Sequence, residues 1–133
     1  MAEFLHASLT HAIIGAFYDV FHELGHGYSE KIYRRALAII LRERGLEATE
    51  ERHITVHSHG TLIGTFHVDL VVEGKVVVKI KAARDLDPRD EAQTLNYLKC
   101  AGGGIGLLVN FGRELKYKRL AMGDPPANLP NLV

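Results

Sequence analysis

The chain has 133 residues, enough to enclose one hydrophobic core and too few for two. Sixteen Lys and Arg balance sixteen Asp and Glu, which excludes a wholesale basic surface for nucleic acid and any field that would hold the chain on a membrane, while leaving room for a local patch. The lone Cys100 excludes an intramolecular disulfide, and with no signal-peptide pattern and no apolar run of spanning length the expected location is the cytoplasm.

From residue 3 to 24, Leu5, Leu9, Ile13, Phe17, Val20, Phe21 and Leu24 recur at spacings of three and four, which predicts an amphipathic helix. Gly25-His26-Gly27 ends it, and a second helix over 29–44 buries Tyr33, Leu37, Ile40 and Leu41 before Gly45. Three strand-like runs follow, at 51–57, 61–72 and 75–81. The breaks between them, His59-Gly60 and Glu73-Gly74, are short and glycine-bearing, so the three form an antiparallel meander. Asp87-Pro88 supplies an N-cap and a first-turn proline for a third helix ending near residue 101, with Cys100 packed in its last turn. The glycines at 102–104 and 106 follow a helix and precede a strand, the reverse of a phosphate cradle, and read as a helix stop and flexible link. Two last strands, 107–110 and 115–120, flank Gly112-Arg113.

The order α-α-β-β-β-α-β-β predicts one α/β domain over residues 1–122, a mixed sheet with helices packed on it. Residues 123–133 carry three prolines and form an extended tail. Its Leu129, Leu132 and Val133 belong either to a frayed end or to an arm docked on a neighbouring subunit, and the arm makes a homo-oligomer the expected state.

Strand alternation points Lys79 and Lys81 to one side and Val78 and Ile80 to the other. Two ammonium groups on one face repel, so they reach solvent or meet acids, of which Asp69 and Glu30 are the nearest candidates. The plainer alternative is that Lys79 sits on an edge strand, where lysines discourage sheet-to-sheet association. His53, His57 and His59 share strand parity and form a weak transition-metal set, and His57-Ser58-His59-Gly60 is more simply a polar hairpin turn.

The segments Gly27-Tyr28-Ser29-Glu30-Lys31-Ile32-Tyr33, Asp69-Leu70, Lys79-Ile80-Lys81, Gln93 through Tyr97 and Asn110-Phe111-Gly112 stand in an order that resembles the GxxExxY family, a compact branch of the PD-(D/E)xK nuclease superfamily, over residues 5–120. The resemblance implies the same α/β sandwich. In that superfamily a strand Asp and the acid of an acid-x-Lys strand hold Mg²⁺ or Mn²⁺, a helix Glu assists, and the Lys serves the nucleophile. Carried over, the catalytic set is Glu30, Asp69, Lys79, Lys81 and Gln93, with Asp69 and Glu30 as metal ligands if a divalent ion binds.

The departure is Lys79, which stands where the pattern has an acid. An ammonium offers a metal no lone pair and adds a like charge. Glu30, Asp69, Lys79 and Lys81 sum to zero, so the expectation is a vestigial, salt-bridged cluster with no cofactor, in a protein that binds nucleic acid or a protein partner without cutting. Two alternatives stay open: an active Mg²⁺- or Mn²⁺-dependent nuclease with a relocated acid, Glu73 being the candidate despite its tight turn, and a self-assembling structural protein. Gln93 and Tyr97 share a helix face, so both reach the site, or Tyr97 caps the core while Gln93 bonds backbone. Tyr33 packs, with its hydroxyl on a polar partner, and His67 joins the cluster or faces solvent.

Overall fold

A computed structural model describes residues 6–123, 129, 132 and 133, so the start of the predicted first helix and most of the tail lie outside the described residues. Helices α1 (Ala7–Leu24) and α2 (Glu30–Glu43) lead into strands β1 (Ala48–Ser58), β2 (Thr61–Val72) and β3 (Val76–Lys81). Helix α3 (Pro88–Cys100), β4 (Gly104–Phe111) and β5 (Leu115–Met122) complete the predicted order. The sheet runs β1-β2-β3-β4-β5, and every pairing is antiparallel except β3 with β4. That parallel pair is joined through α3, the crossover that parallel strands require. The chain thus folds as a mixed five-stranded sheet with three helices.

Each face of the sheet carries its own core. Ile13, Phe17, Val20, Tyr33, Leu37 and Leu41 of α1 and α2 pack on Val76, Val78 and Ile80 of β3 and on Ile105, Leu107 and Val109 of β4. On the opposite face, Leu98 and Ala101 pack on Val71, Val77 and Leu108. Because side chains alternate along β3, burying Val78 and Ile80 under α2 turns Lys79 and Lys81 toward α3. β3 is interior to the sheet, so Lys79 is not an edge-strand lysine.

Alternation fails at one point of β2. Leu70 and Val72 belong to the core under α1 and α2, whereas Phe66 and Val68, of the same parity, belong to the core under α3. The strand therefore turns over between Val68 and Leu70, at Asp69. Opposite it, between the Glu50↔Leu70 and Arg52↔Val68 pairs, Glu51 takes a φ of 55°, left-handed for a residue with a Cβ.

Two local expectations are corrected. β4 begins at Gly104, so the glycines are a stop at Gly102-Gly103 and then strand. A Cβ on Gly106 would stand 3.3 Å from Thr94 Cγ2 and 3.4 Å from Leu98 Cδ1, which shows how closely α3 lies on β4. Cys100 is exposed, since α3 buries the stripe of Thr94 and Leu98 and the cysteine falls off it. No helix among the described residues is long and apolar enough to cross a membrane.

The described tail residues, Leu129, Leu132 and Val133, seat on their own chain. Leu129 is buried in the α3-side core, and its N–H donates to the Gly74 carbonyl at 3.1 Å. Val133 exchanges backbone hydrogen bonds with His53 at 2.9 and 2.8 Å, beside an antiparallel bridge between Leu132 and Ile54. The outer edge of β1 presents N–H and C=O groups that no strand among the described residues pairs, and Val133 meets those of His53. Leu129→Ala is expected to lower stability by about 2 kcal/mol, at the modest end for a buried leucine. Urea unfolding measures it, and an unchanged midpoint would show that the seated tail adds nothing to the fold.

Candidate functional site

The β2–β3 ladder runs only from Val72↔Val76 to Leu70↔Val78, and beyond it the strands part. Asp69, 8% exposed, fills the gap. Its Oδ2 accepts the Ile80 N–H at 2.7 Å, a donor that a continued ladder would satisfy from the backbone. Lys79 Nζ lies 3.7 Å from the same oxygen, and His67 Nδ1 lies 3.7 Å from Oδ1. His67 thus joins the cluster. The Lys79 ammonium also stands 5.6 Å from the centroid of the Phe66 ring, which stacks on Tyr97 of α3.

Only 20% of the Lys79 side chain and 11% of that of Asp69 are exposed, so this is not a solvent-screened surface pair. At this separation the attraction is of the order of 4 kcal/mol at an effective dielectric constant of about 20. Desolvating both ions costs several kcal/mol each. The bond from the Ile80 N–H and the Phe66 ring beside the ammonium offset part of that cost.

Lys81 pairs with Asp90, Nζ to Oδ1 3.8 Å. Asp90 lies in the first turn of α3, which Asp87 caps by accepting the Arg89 N–H at 2.9 Å and Pro88 opens. Sequence reading missed Asp90. The available signal was its place three residues before Gln93, on one helix face with it. Gln93 does reach the site: with Lys81, Arg84, Arg89 and Asp90 it lines a cleft of about 540 Å³. Tyr97, a turn later, belongs to the core instead.

Glu30 is corrected. It is exposed in the first turn of α2 and enters none of the cluster's ion pairs, because α2 packs on the Val78 and Ile80 face while both lysines point toward α3. Asp90 takes the place expected of it. Tyr33 is a packing residue, buried and stacked on Phe111 at 4.3 Å, its hydroxyl donating to the Gly25 carbonyl at 2.6 Å. Glu73 enters none of the cluster's ion pairs, and its Oε2 accepts the N–H of Glu47, ahead of β1, at 2.7 Å.

Among the described residues no group of three or more His, Cys, Asp and Glu is arranged to hold a metal ion. Mg²⁺ and Mn²⁺ demand several oxygen ligands. Here Asp69 has one oxygen committed to Ile80 and Lys79, and the neighbouring strand position offers an ammonium. The donor set does not fit a divalent ion. The His53 ring meets that of His67, 5.5 Å between centroids, and His59 sits in the hairpin turn at a φ of 51°.

The Asn-Phe-Gly segment acts through the backbone. Asn110, 1% exposed, accepts the Ala83 N–H at 2.9 Å and donates to the Ala83 carbonyl at 3.1 Å, clamping the loop that follows β3. A Cβ on Gly112 would lie 3.0 Å from that carbonyl oxygen, so a larger residue would have to push the two chain segments apart.

A family model described as the PD-(D/E)XK nuclease superfamily matches residues 7–120. Among solved structures, "Crystal structure of SSO0001" is similar with a TM-score of 0.55 and 19% identity, over 73% of this chain and 51% of that one. At that identity the likeness is one of fold, and the chain spans about half the length of the protein it matches. No curated protein matches.

Replacing Asp69 by Ala strands a partly buried ammonium and orphans the Ile80 N–H, and is expected to cost about 3 kcal/mol. Adding Lys79→Met removes the stranded charge and should return a third or more of that loss, as a double-mutant cycle in urea would measure. Strict additivity of the two substitutions would mean that the residues are not coupled.

Proposed function

The chain belongs to the PD-(D/E)XK nuclease superfamily, and from that premise we propose that it is a catalytically silent member that binds nucleic acid in the old cleft without cutting it. The observation that carries this reading is the Lys79 ammonium, 3.7 Å from Asp69 Oδ2, in the position where the superfamily pattern has a metal-binding acid. A tethered cation supplies the charge balance that Mg²⁺ would otherwise supply, but it carries no water to activate. Binding then outlives cleavage. Lys81, Arg84, Arg89 and Gln93 line the adjoining cleft together with Asp85, Asp87 and Asp90, and of these cations Arg84 alone has no acid paired with it among the described residues, leaving it and Gln93 as donors for a phosphate. The ordered motif set supports placing the chain in the GxxExxY branch, with the cytoplasm as its location.

The acid at Asp90 favours a second reading, in which Asp69 and Asp90 serve a displaced metal and cleavage survives. Its weakness is that Asp90 is engaged by Lys81 as Asp69 is by Lys79.

Calorimetric titration with Mn²⁺, alongside cleavage assays on single- and double-stranded DNA, separates the two. The unmodified chain is expected to show neither site-specific Mn²⁺ binding nor divalent-dependent cleavage. Lys79→Glu rebuilds acid-x-Lys and should raise Mn²⁺ affinity about 10-fold or more by exchanging a repulsive charge for a ligand. Tight Mn²⁺ binding by the unmodified chain that Asp69→Ala or Asp90→Ala abolishes would overturn the silent reading.

A further inference from the structure

At the carboxyl ends of the parallel strands β3 and β4 a second cleft of about 500 Å³ opens, lined by His26, Gly27, Ala83, Arg84, Gly112 and Arg113 among others. It shares Ala83 and Arg84 with the cleft beside the ion-pair cluster, so the two adjoin. Their charge differs in kind. Around the cluster every lysine has an acid: Lys79 has Asp69, Lys81 has Asp90, Lys116 has Asp85 and Lys118 has Glu91. Arg89 is likewise paired, with Asp87.

The second cleft has two guanidinium groups and an imidazole in its lining and no carboxylate. Neither Arg84 nor Arg113 forms a side-chain hydrogen bond or ion pair with any described residue. In a chain of zero net charge, two unpaired guanidinium groups thus meet in one concave place beside the paired cluster.

Its walls are fixed before any ligand arrives. The Asn110 side chain holds both the N–H and the carbonyl of Ala83, next to Arg84. Gly112, next to Arg113, lies so close to the Ala83 carbonyl that a Cβ there would be 3.0 Å from its oxygen. On the other side, the Tyr33 ring stacks on Phe111 while its hydroxyl holds the Gly25 carbonyl ahead of His26. The backbone segments that carry Arg84, Arg113 and His26 are thus fastened to one another, and a guanidinium with a planar fork of donors suits the oxygens of a tetrahedral anion.

We propose that this cleft is a phosphate-binding site in which Arg84 and Arg113 grip a phosphate group from two sides and His26 supplies a third donor. The volume accommodates a phosphate with its attached sugar. The phosphate can come from a nucleic-acid chain or from a terminal or free phosphate. The first source rests on the nucleic-acid reading of the function, whereas phosphate capture itself does not.

The test titrates the ¹⁵N-labelled protein with inorganic phosphate at low salt and, in parallel, reads fluorescence anisotropy of single-stranded oligonucleotides bearing either a 5′-phosphate or a 5′-hydroxyl. Inorganic phosphate should shift the amides of Ala83 and Gly112. Arg84→Gln with Arg113→Gln should weaken phosphate binding about 10-fold or more, the loss of charge-assisted bonds. Lys99→Gln, an exposed cation of α3, should leave it unchanged, and both variants should keep the unmodified melting curve.

If the 5′-phosphate strand binds more tightly, the site takes a terminal phosphate. Equal binding of both strands, weakened in the double variant with a salt slope lower by roughly 1.4, assigns it a backbone phosphate. Phosphate binding that depends on the arginines without oligonucleotide binding would keep the site and sink the nucleic-acid reading. Oligonucleotide binding untouched by the double variant, or inorganic phosphate that shifts neither amide, would overturn the site.

Discussion

Where β2 and β3 part, one carboxylate takes over from the backbone. Asp69 accepts the Ile80 N–H that the ladder no longer reaches, and holds the Lys79 ammonium with the same oxygen. Burying a carboxylate costs free energy unless its oxygens find donors and an opposite charge, and the Ile80 N–H and the Lys79 ammonium supply both. In a metal-dependent centre the cation arrives from solution. Here it is covalently part of the chain, one residue before Ile80. The turn-over of β2 at Asp69, the left-handed Glu51 opposite it and the splayed strands all serve that arrangement.

Strand parity carries the consequence outward. With Val78 and Ile80 committed to the core under α1 and α2, both lysines must face α3, and the first turn of α3 brings Asp90 to the second of them. The result is two ion pairs on neighbouring elements, His67 on one flank and Gln93 on the other. Charge neutrality within the cluster leaves its surroundings to set the field, and the nearest uncompensated charge belongs to Arg84 and Arg113. The two clefts meet at the loop that carries Ala83 and Arg84, so the neutralised pairs and the unpaired arginines are neighbours.

Most of the architecture was legible from local patterns. Helix periodicity, the His59-Gly60 and Glu73-Gly74 turns and the Asp87-Pro88 cap each have a local cause, so they could be read without tertiary information. The pairing of Asp69 with Lys79 was also legible, because alternation and the need of a buried charge for a partner act over one hairpin. What failed depended on long-range packing. Glu30 was placed by motif, yet which side of the sheet α2 covers is decided by its apolar stripe. Asp90 read as an ordinary acid of a first helical turn, a stabilising place in its own right, and only the β3–α3 crossover sets it beside Lys81. The tail was left open between a frayed end and an arm, because nothing in its own residues says that Ile54 and His53 at the edge of β1 meet Leu132 and Val133. The reversal of β2 at Asp69 has no local signature at all: Phe66 through Val72 reads as one uninterrupted strand.

The central claim is that the chain's own ammonium occupies the charge position of a metal ion. Ile80 reports on it directly, because its amide lies 2.7 Å from Asp69 Oδ2 and any paramagnetic ion bound to that carboxylate would erase its signal. In an amide spectrum recorded with substoichiometric Mn²⁺, Ile80 should keep its intensity while exposed acids such as Glu114 lose theirs first. Selective loss of Ile80 and His67 ahead of the surface acids would contradict the account.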